Sequence, residues 1–106
     1  MPVKQKILEY LLDYHRGAEN AIMGRRLCSV FGISFSLLHQ AIGELQADGY
    51  PVCSSLNGYF YALTPEEVDH TIAHLTSRIQ EMGLAKDGLV LARDHFCDTS
   101  MLEDHQ

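Results

Sequence analysis

At 106 residues the chain has room for one domain with one modest core. Hydrophobic residues at 46% and charged residues at 21% exclude an intrinsically disordered chain, and no apolar run nears the ~20 residues that span a bilayer. Eight Lys+Arg against 14 Asp+Glu leave a net charge of −6, opposite in sign to that expected of a polyanion binder.

The negative excess is local. Through Thr64 five cations balance five acids, whereas beyond it three cations stand against nine acids. A neutral N-terminal part can still approach a polyanion if its cations share a face. Cys28, Cys53 and Cys97 are an odd number at wide spacings, which excludes a disulfide framework and fits a reducing, cytoplasmic compartment. Lys4, Lys6 and Glu9 come before any long apolar stretch, so no secretory signal is expected.

In chain order, Val3, Ile7, Leu8, Leu11 and Leu12 recur at threes and fours and predict a first helix from Val3 to His15, with Gly17 as its C-cap. Met23, Leu27, Val30 and Phe31 share one face of a short second helix, with Arg25, Arg26 and Ser29 pointing away and Gly32 at its end. Gly32-Ile33-Ser34 makes a tight connection, and Ser34 is a good N-cap for a third helix. There Leu38, Ala41, Ile42 and Leu45 form the apolar stripe. Ser36, Gln40, Gly43 and Ala47, flanked by His39, form the opposite face, and Gly49 stops the helix.

The period then changes. Val52 to Leu56 and Tyr59 to Leu63 suit strands, and Asn57-Gly58 between them predicts a type I′ hairpin. Pro51 suits an edge position. Thr64-Pro65-Glu66-Glu67 opens a fourth helix: Thr64 caps, Pro65 fits the first position, and Glu67 can close a capping box. Val68, Ile72, Leu75, Ile79 and Met82 follow at spacings of four and three, an a/d heptad seam that points to homodimerisation; the plain alternative is that it covers the monomer's core. Gly83 and Gly88 are expected to weaken the continuation, leaving Leu84 to Phe96 as a possible further helix. The fold expected is mainly α with a small β-hairpin: a winged helix-turn-helix over residues 1–64, a C-terminal helical extension that mediates dimerisation over 65–97, and a flexible tail over 98–106.

The Gly32-Ile33-Ser34 turn, the stripe Leu38, Ala41, Ile42 and Leu45, the Gly49-Tyr50-Pro51-Val52 segment, the Gly58-Tyr59 return strand and the acidic capped helix together carry a family resemblance. Ala21 to Leu63 resembles the winged helix-turn-helix domains of bacterial and phage regulators. It is most similar to the small N-terminal domain of biotin repressors and to short phage-encoded winged-helix proteins. The likeness covers about two thirds of the chain and is more specific for fold than for function. It implies sequence-directed binding of double-stranded DNA in transcriptional control, with the third helix in the major groove. Ser36, His39 and Gln40 then face bases, Arg25 and Arg26 hold phosphates, and Lys4 and Lys6 extend the footprint. In the wing Asn57, Ser54 and Ser55 are candidates for DNA contact, but no Lys or Arg occurs from Leu27 to Ser77, and a structural hairpin is the plainer reading. The family's exposed basic residues on the third helix correspond to His39 and Gln40, and the usual cap of the second helix to Met23.

Two other readings remain open. One is a protein-interaction module without DNA binding, presenting Phe35 and Leu37 to a partner. The other is a metal-responsive repressor using His70 and His74 beside Asp69, with a third ligand from another chain or from His95, Cys97 or His105; surface histidines are the plainer reading of that pair. No metal site and no cofactor are assigned. With no HExxH, no Gly-rich phosphate loop and no G-x-S-x-G, an enzyme is not expected.

Overall fold

The computed structural model describes residues 2–96; the tail over 98–106, Cys97 and His105 lie outside them. The described residues form α1 (Val3–Tyr14), a 3-10 turn (Ala18–Asn20), α2 (Gly24–Phe31), α3 (Phe35–Ala47), β1 (Val52–Ser55), β2 (Gly58–Tyr61) and α4 (Pro65–His95). This is the expected class: mainly helical, with one small antiparallel hairpin among the described residues and a long C-terminal helix. The chain divides into two compact units between Ile72 and Ala73, within α4.

The first unit is built around Ile7, Leu8 and Leu11 of α1, Leu27 and Cys28 of α2, and Leu38, Ala41, Ile42 and Leu45 of α3, closed by Ile22 and Val52. Burial follows the threes-and-fours pattern in α1 and α3 and departs from it in two places. Leu12 is exposed. In α2 the buried pair is Leu27 and Cys28, with Phe31 half-buried, while Met23 and Val30 face solvent. Met23 precedes the helix in extended conformation, so it does not share the face that helical spacing assigned to it.

Helix α1 ends at Tyr14, not at a Gly17 cap. His15 leaves helical geometry because β2 recruits its backbone: its carbonyl accepts from Tyr61 N–H at 2.8 Å, and Gly17 N–H donates to the Tyr61 carbonyl at 2.8 Å. Farther on, Ile22 and Tyr59 exchange both backbone hydrogen bonds at 2.9 and 2.8 Å. β2 is therefore paired on both sides, with β1 on one flank and the α1–α2 connection on the other. Gly32 ends α2 in left-handed conformation (φ 62°), which returns the chain toward α3. Ser34 then caps α3, its Oγ accepting from Leu37 N–H at 3.1 Å.

The hairpin turn differs from the expected one. Ser55 pairs with Gly58, so the turn residues are Leu56 and Asn57. A type I′ turn needs positive φ at both central residues, and no non-glycine described residue has it. Gly58 instead belongs to β2, at φ 117°. It is held there by the neighbouring chain: a Cβ on Gly58 would overlap the Ile22 carbonyl and stand 2.8 Å from the Met23 nitrogen.

At the start of α4, Thr64 Oγ1 accepts from Glu67 N–H at 3.3 Å, and Pro65 is the first helical residue. The Thr64 backbone contributes to holding the Glu67 carboxylate, as a capping box requires, but the shorter bonds go elsewhere. Glu67 Oε1 accepts from Leu63 N–H and its Oε2 from Ala18 N–H, both at 2.7 Å, so one carboxylate ties α4 to the 3-10 turn. These backbone donors hold its pKa below the ordinary glutamate range. A depressed pKa means stability that is present above the unfolded-state value and lost as pH falls through the folded one. Glu67→Gln offers one oxygen where two are used and should lower the melting temperature at pH 7. The gap to wild type should begin to shrink as pH drops below the ordinary glutamate value of about 4.3, where the unfolded chain takes up the proton, and close as pH falls through the lower folded-state value. Thermal melts of both proteins from pH 7 to pH 3 check this; a gap that does not change with pH rules out the ionised carboxylate as the cause.

Val68 packs on Cys53, Phe60 and Ala62. Thr71 is buried, its Oγ1 accepting from Ser54 N–H at 3.3 Å and donating to the Ser54 carbonyl at 3.4 Å. α4 runs unbroken through Gly83 and Gly88. Each glycine costs about 1 kcal/mol relative to alanine, and the good helix formers around them, Leu84, Ala85, Lys86, Leu89, Leu91 and Ala92, carry the helix through.

Candidate nucleic-acid interface

Burial of Leu38, Ala41, Ile42 and Leu45 fixes the roll of α3 about its axis. The side chains between them must then face outward. Ser36, His39, Gln40, Gly43 and Ala47 are all exposed, with Glu44 exposed beside them. The face that could meet a ligand is polar, narrow and free of cations. Gln40 presents both a donor and an acceptor, the pair that matches the N6/N7 edge of adenine. The His39 ring lies 6.1 Å from the Phe35 ring at a tilt of 59°.

The start of α2 is placed against this helix. A Cβ on Gly24 would stand 3.2 Å from the Tyr59 ring, 3.3 Å from the Phe35 ring and 3.6 Å from Leu38. The first turn of α2 thus sits between the return strand of the hairpin and the N-terminal end of α3. Arg25 and Arg26 occupy that turn, both exposed. Cations at the positive end of a helix dipole oppose it locally, and Met23 supplies no side-chain acceptor for the first N–H groups. Both features favour an anionic neighbour at this end.

The remaining candidates are less well placed. Lys4 Nζ is 3.3 Å from Asp48 Oδ2, next to the C-terminal end of α3, so that charge is already partnered; Lys6 is exposed. Asn57 is exposed at the hairpin tip, its N–H donating to Ser55 Oγ at 3.1 Å. Leu56 beside it is 96% exposed. Ser54 is engaged with Thr71. Phe60 is buried, and Tyr59 and Tyr61 are half-buried in the sheet, consistent with a packing role.

An apolar surface accompanies the polar one. Met23 is 52% exposed, Phe35 51% and Leu37 38%. Met23 is exposed because it precedes α2 in extended conformation, which spacing alone does not reveal. On α4, Leu75 is half-buried, whereas Ile79 and Met82 are exposed at 70% and 66%. Val68, the first residue of the seam, is used inside its own unit. His70 and His74 are exposed, and among the described residues no group of three or more His, Cys, Asp or Glu comes together to hold a metal ion. Burial pushes the Cys53 thiol up, and Cys28 is buried as well; neither is in a disulfide.

No described helix is long and apolar enough to cross a membrane. Comparison with family models, with curated proteins and with solved structures finds no match to this chain.

Proposed function

We propose that the chain is a winged helix-turn-helix protein that binds double-stranded DNA in a sequence-directed way, in the cytoplasm of a bacterium or in the service of its phage, as a transcriptional regulator and not as an enzyme. The observation that carries this reading is the solvent-open line of Ser36, His39, Gln40 and Gly43 on a helix whose opposite side is fully anchored in the core. A rod presented this way can enter a major groove without rearrangement. Arg25 and Arg26 stand at the helix end beside it and supply phosphate contacts. Two copies joined through α4, along Ile72, Leu75, Ile79 and Met82 and without Val68, which its own unit occupies, suit paired half-sites.

With so few cations, binding should be modest and its salt dependence shallow. Selection from random duplexes at low salt, followed by fluorescence anisotropy on the enriched site, tests the reading. Arg25→Ala combined with Arg26→Ala should weaken all duplexes alike and reduce the slope of log K against log salt by about 2 per subunit if each arginine holds one phosphate. Gln40→Ala should instead relax the preference at one base pair, by about 1–3 kcal/mol of discrimination. An unenriched pool with salt-insensitive binding removes the DNA reading.

The exposed apolar residues Met23, Phe35 and Leu37 favour a second reading, a winged-helix module that docks a protein partner there and does not bind DNA. Phe35→Ser with Leu37→Ser separates the two: it abolishes partner capture in this reading and leaves the arginine-dependent salt slope intact in the first.

A further inference from the structure

We infer that α4 pairs with α4 of a second copy of this chain in antiparallel orientation. The inference rests on the pairing of two copies and is independent of whether DNA is bound.

The seam continues past Met82. Four and three residues at a time, it reaches Lys86, Leu89, Arg93 and Phe96, so that every second seam position is apolar while Lys86 and Arg93 fall on the line of Ile79. Lys86, Leu89 and Arg93 are exposed, as are Ile79 and Met82. In a parallel, in-register pair, seam residues meet their own counterparts. Lys86 would then face Lys86 and Arg93 would face Arg93, in consecutive layers of one line. The positions that border the seam there are Gly83, Ala85, Val90 and Ala92, whereas Asp87 and Asp94 lie farther round the helix, Asp94 Oδ1 at 3.8 Å from Arg93 Nε.

Reversing one helix removes the conflict. With Pro65 of one α4 set opposite Phe96 of the other, Ile79 meets Met82 of the second copy and Lys86 meets Leu75, where its aliphatic stem covers an apolar side chain. Arg93 falls opposite the first turns of the other α4, where Glu66 and Asp69 are exposed. α4 has the charge polarity this needs: Glu66, Glu67 and Asp69 open the helix with no cation among them, and the seam's only cations lie in its second half. The seam is thus self-complementary when inverted and self-repelling when parallel.

The test is disulfide trapping under glutathione exchange, in the full chain carrying Cys97→Ser, since Cys28 and Cys53 are buried. Ile79→Cys and Met82→Cys proteins are mixed. The antiparallel pair gives the mixed 79–82 disulfide in excess over either self-linked species. Predominant 79–79 and 82–82 links overturn the orientation while leaving the dimer standing. A monomer by light scattering at about 100 μM, a concentration at which a micromolar pair is mostly associated, overturns both. Arg93→Glu gives an independent readout: it should weaken antiparallel association about tenfold or more by facing Glu66 and Asp69, and Asp69→Lys should restore it. Unchanged or stronger association of Arg93→Glu overturns the inference.

Discussion

Gly58→Ala should destabilise the protein by about 3 kcal/mol or more, a large share of the 5–15 kcal/mol that holds a typical domain folded. Two costs combine. At φ 117° an L-residue is strained, at about 1–3 kcal/mol for such regions. The new methyl must also displace the Ile22 carbonyl and the Met23 nitrogen, which are backbone atoms bonded into the sheet and cannot rotate away. Moving them breaks the Ile22–Tyr59 pair and disturbs the start of α2, where Arg25 and Arg26 sit. Urea unfolding should show a lower midpoint with an unchanged slope. Asn57→Ala, one residue away in the turn and exposed, should stay within about 0.5 kcal/mol of wild type. Equal midpoints for the two variants would contradict the close approach at Gly58.

Leu38→Ala should cost about 2–5 kcal/mol. Leu38 is fully buried between α1, α2 and α3, and its truncation leaves a cavity that the surrounding helices can close only in part. It sits two residues from both Ser36 and Gln40, yet on the other side of α3, so the loss strikes the anchoring of the helix and not its outer face. Leu37, its neighbour in sequence, is half in solvent, and Leu37→Ala should cost less than about 1 kcal/mol. Chemical denaturation of the pair measures the difference directly; similar losses would mean that α3 is rolled differently about its axis.

What the sequence disclosed depended on how local the cause was. The roll of α3, its Ser34 cap and the start of α4 at Thr64-Pro65 follow from residues within one or two turns of each other, and the structure carries them as expected. The open face of Ser36, His39 and Gln40 was legible for the same reason: it is the complement of a clean apolar stripe. The exit of α1 at His15, the two-residue turn at Leu56-Asn57 and the second partner of Glu67 were not. Each is decided by a strand or turn more than thirty residues distant, β2 for His15, the Ile22 segment for the turn, Ala18 for Glu67. Periodicity also misassigned Met23, because a residue just ahead of a helix keeps the spacing without sharing the geometry. The arginines could be read as a cationic pair from sequence, but their place beside α3 depends on Gly24 fitting between two rings.

The doubly flanked β2 has a mechanical consequence. Because Tyr59 and Tyr61 are laced to the chain between α1 and α2, the hairpin base cannot swing like a hinged arm; any tug on it is transmitted to the entrance of α2. Only the Leu56-Asn57 apex lies clear of that lacing. Variation in loop length, whether by grafting or by natural drift, is therefore accommodated at the apex, while the same insertion one residue further on would throw the whole seam of tyrosines out of step.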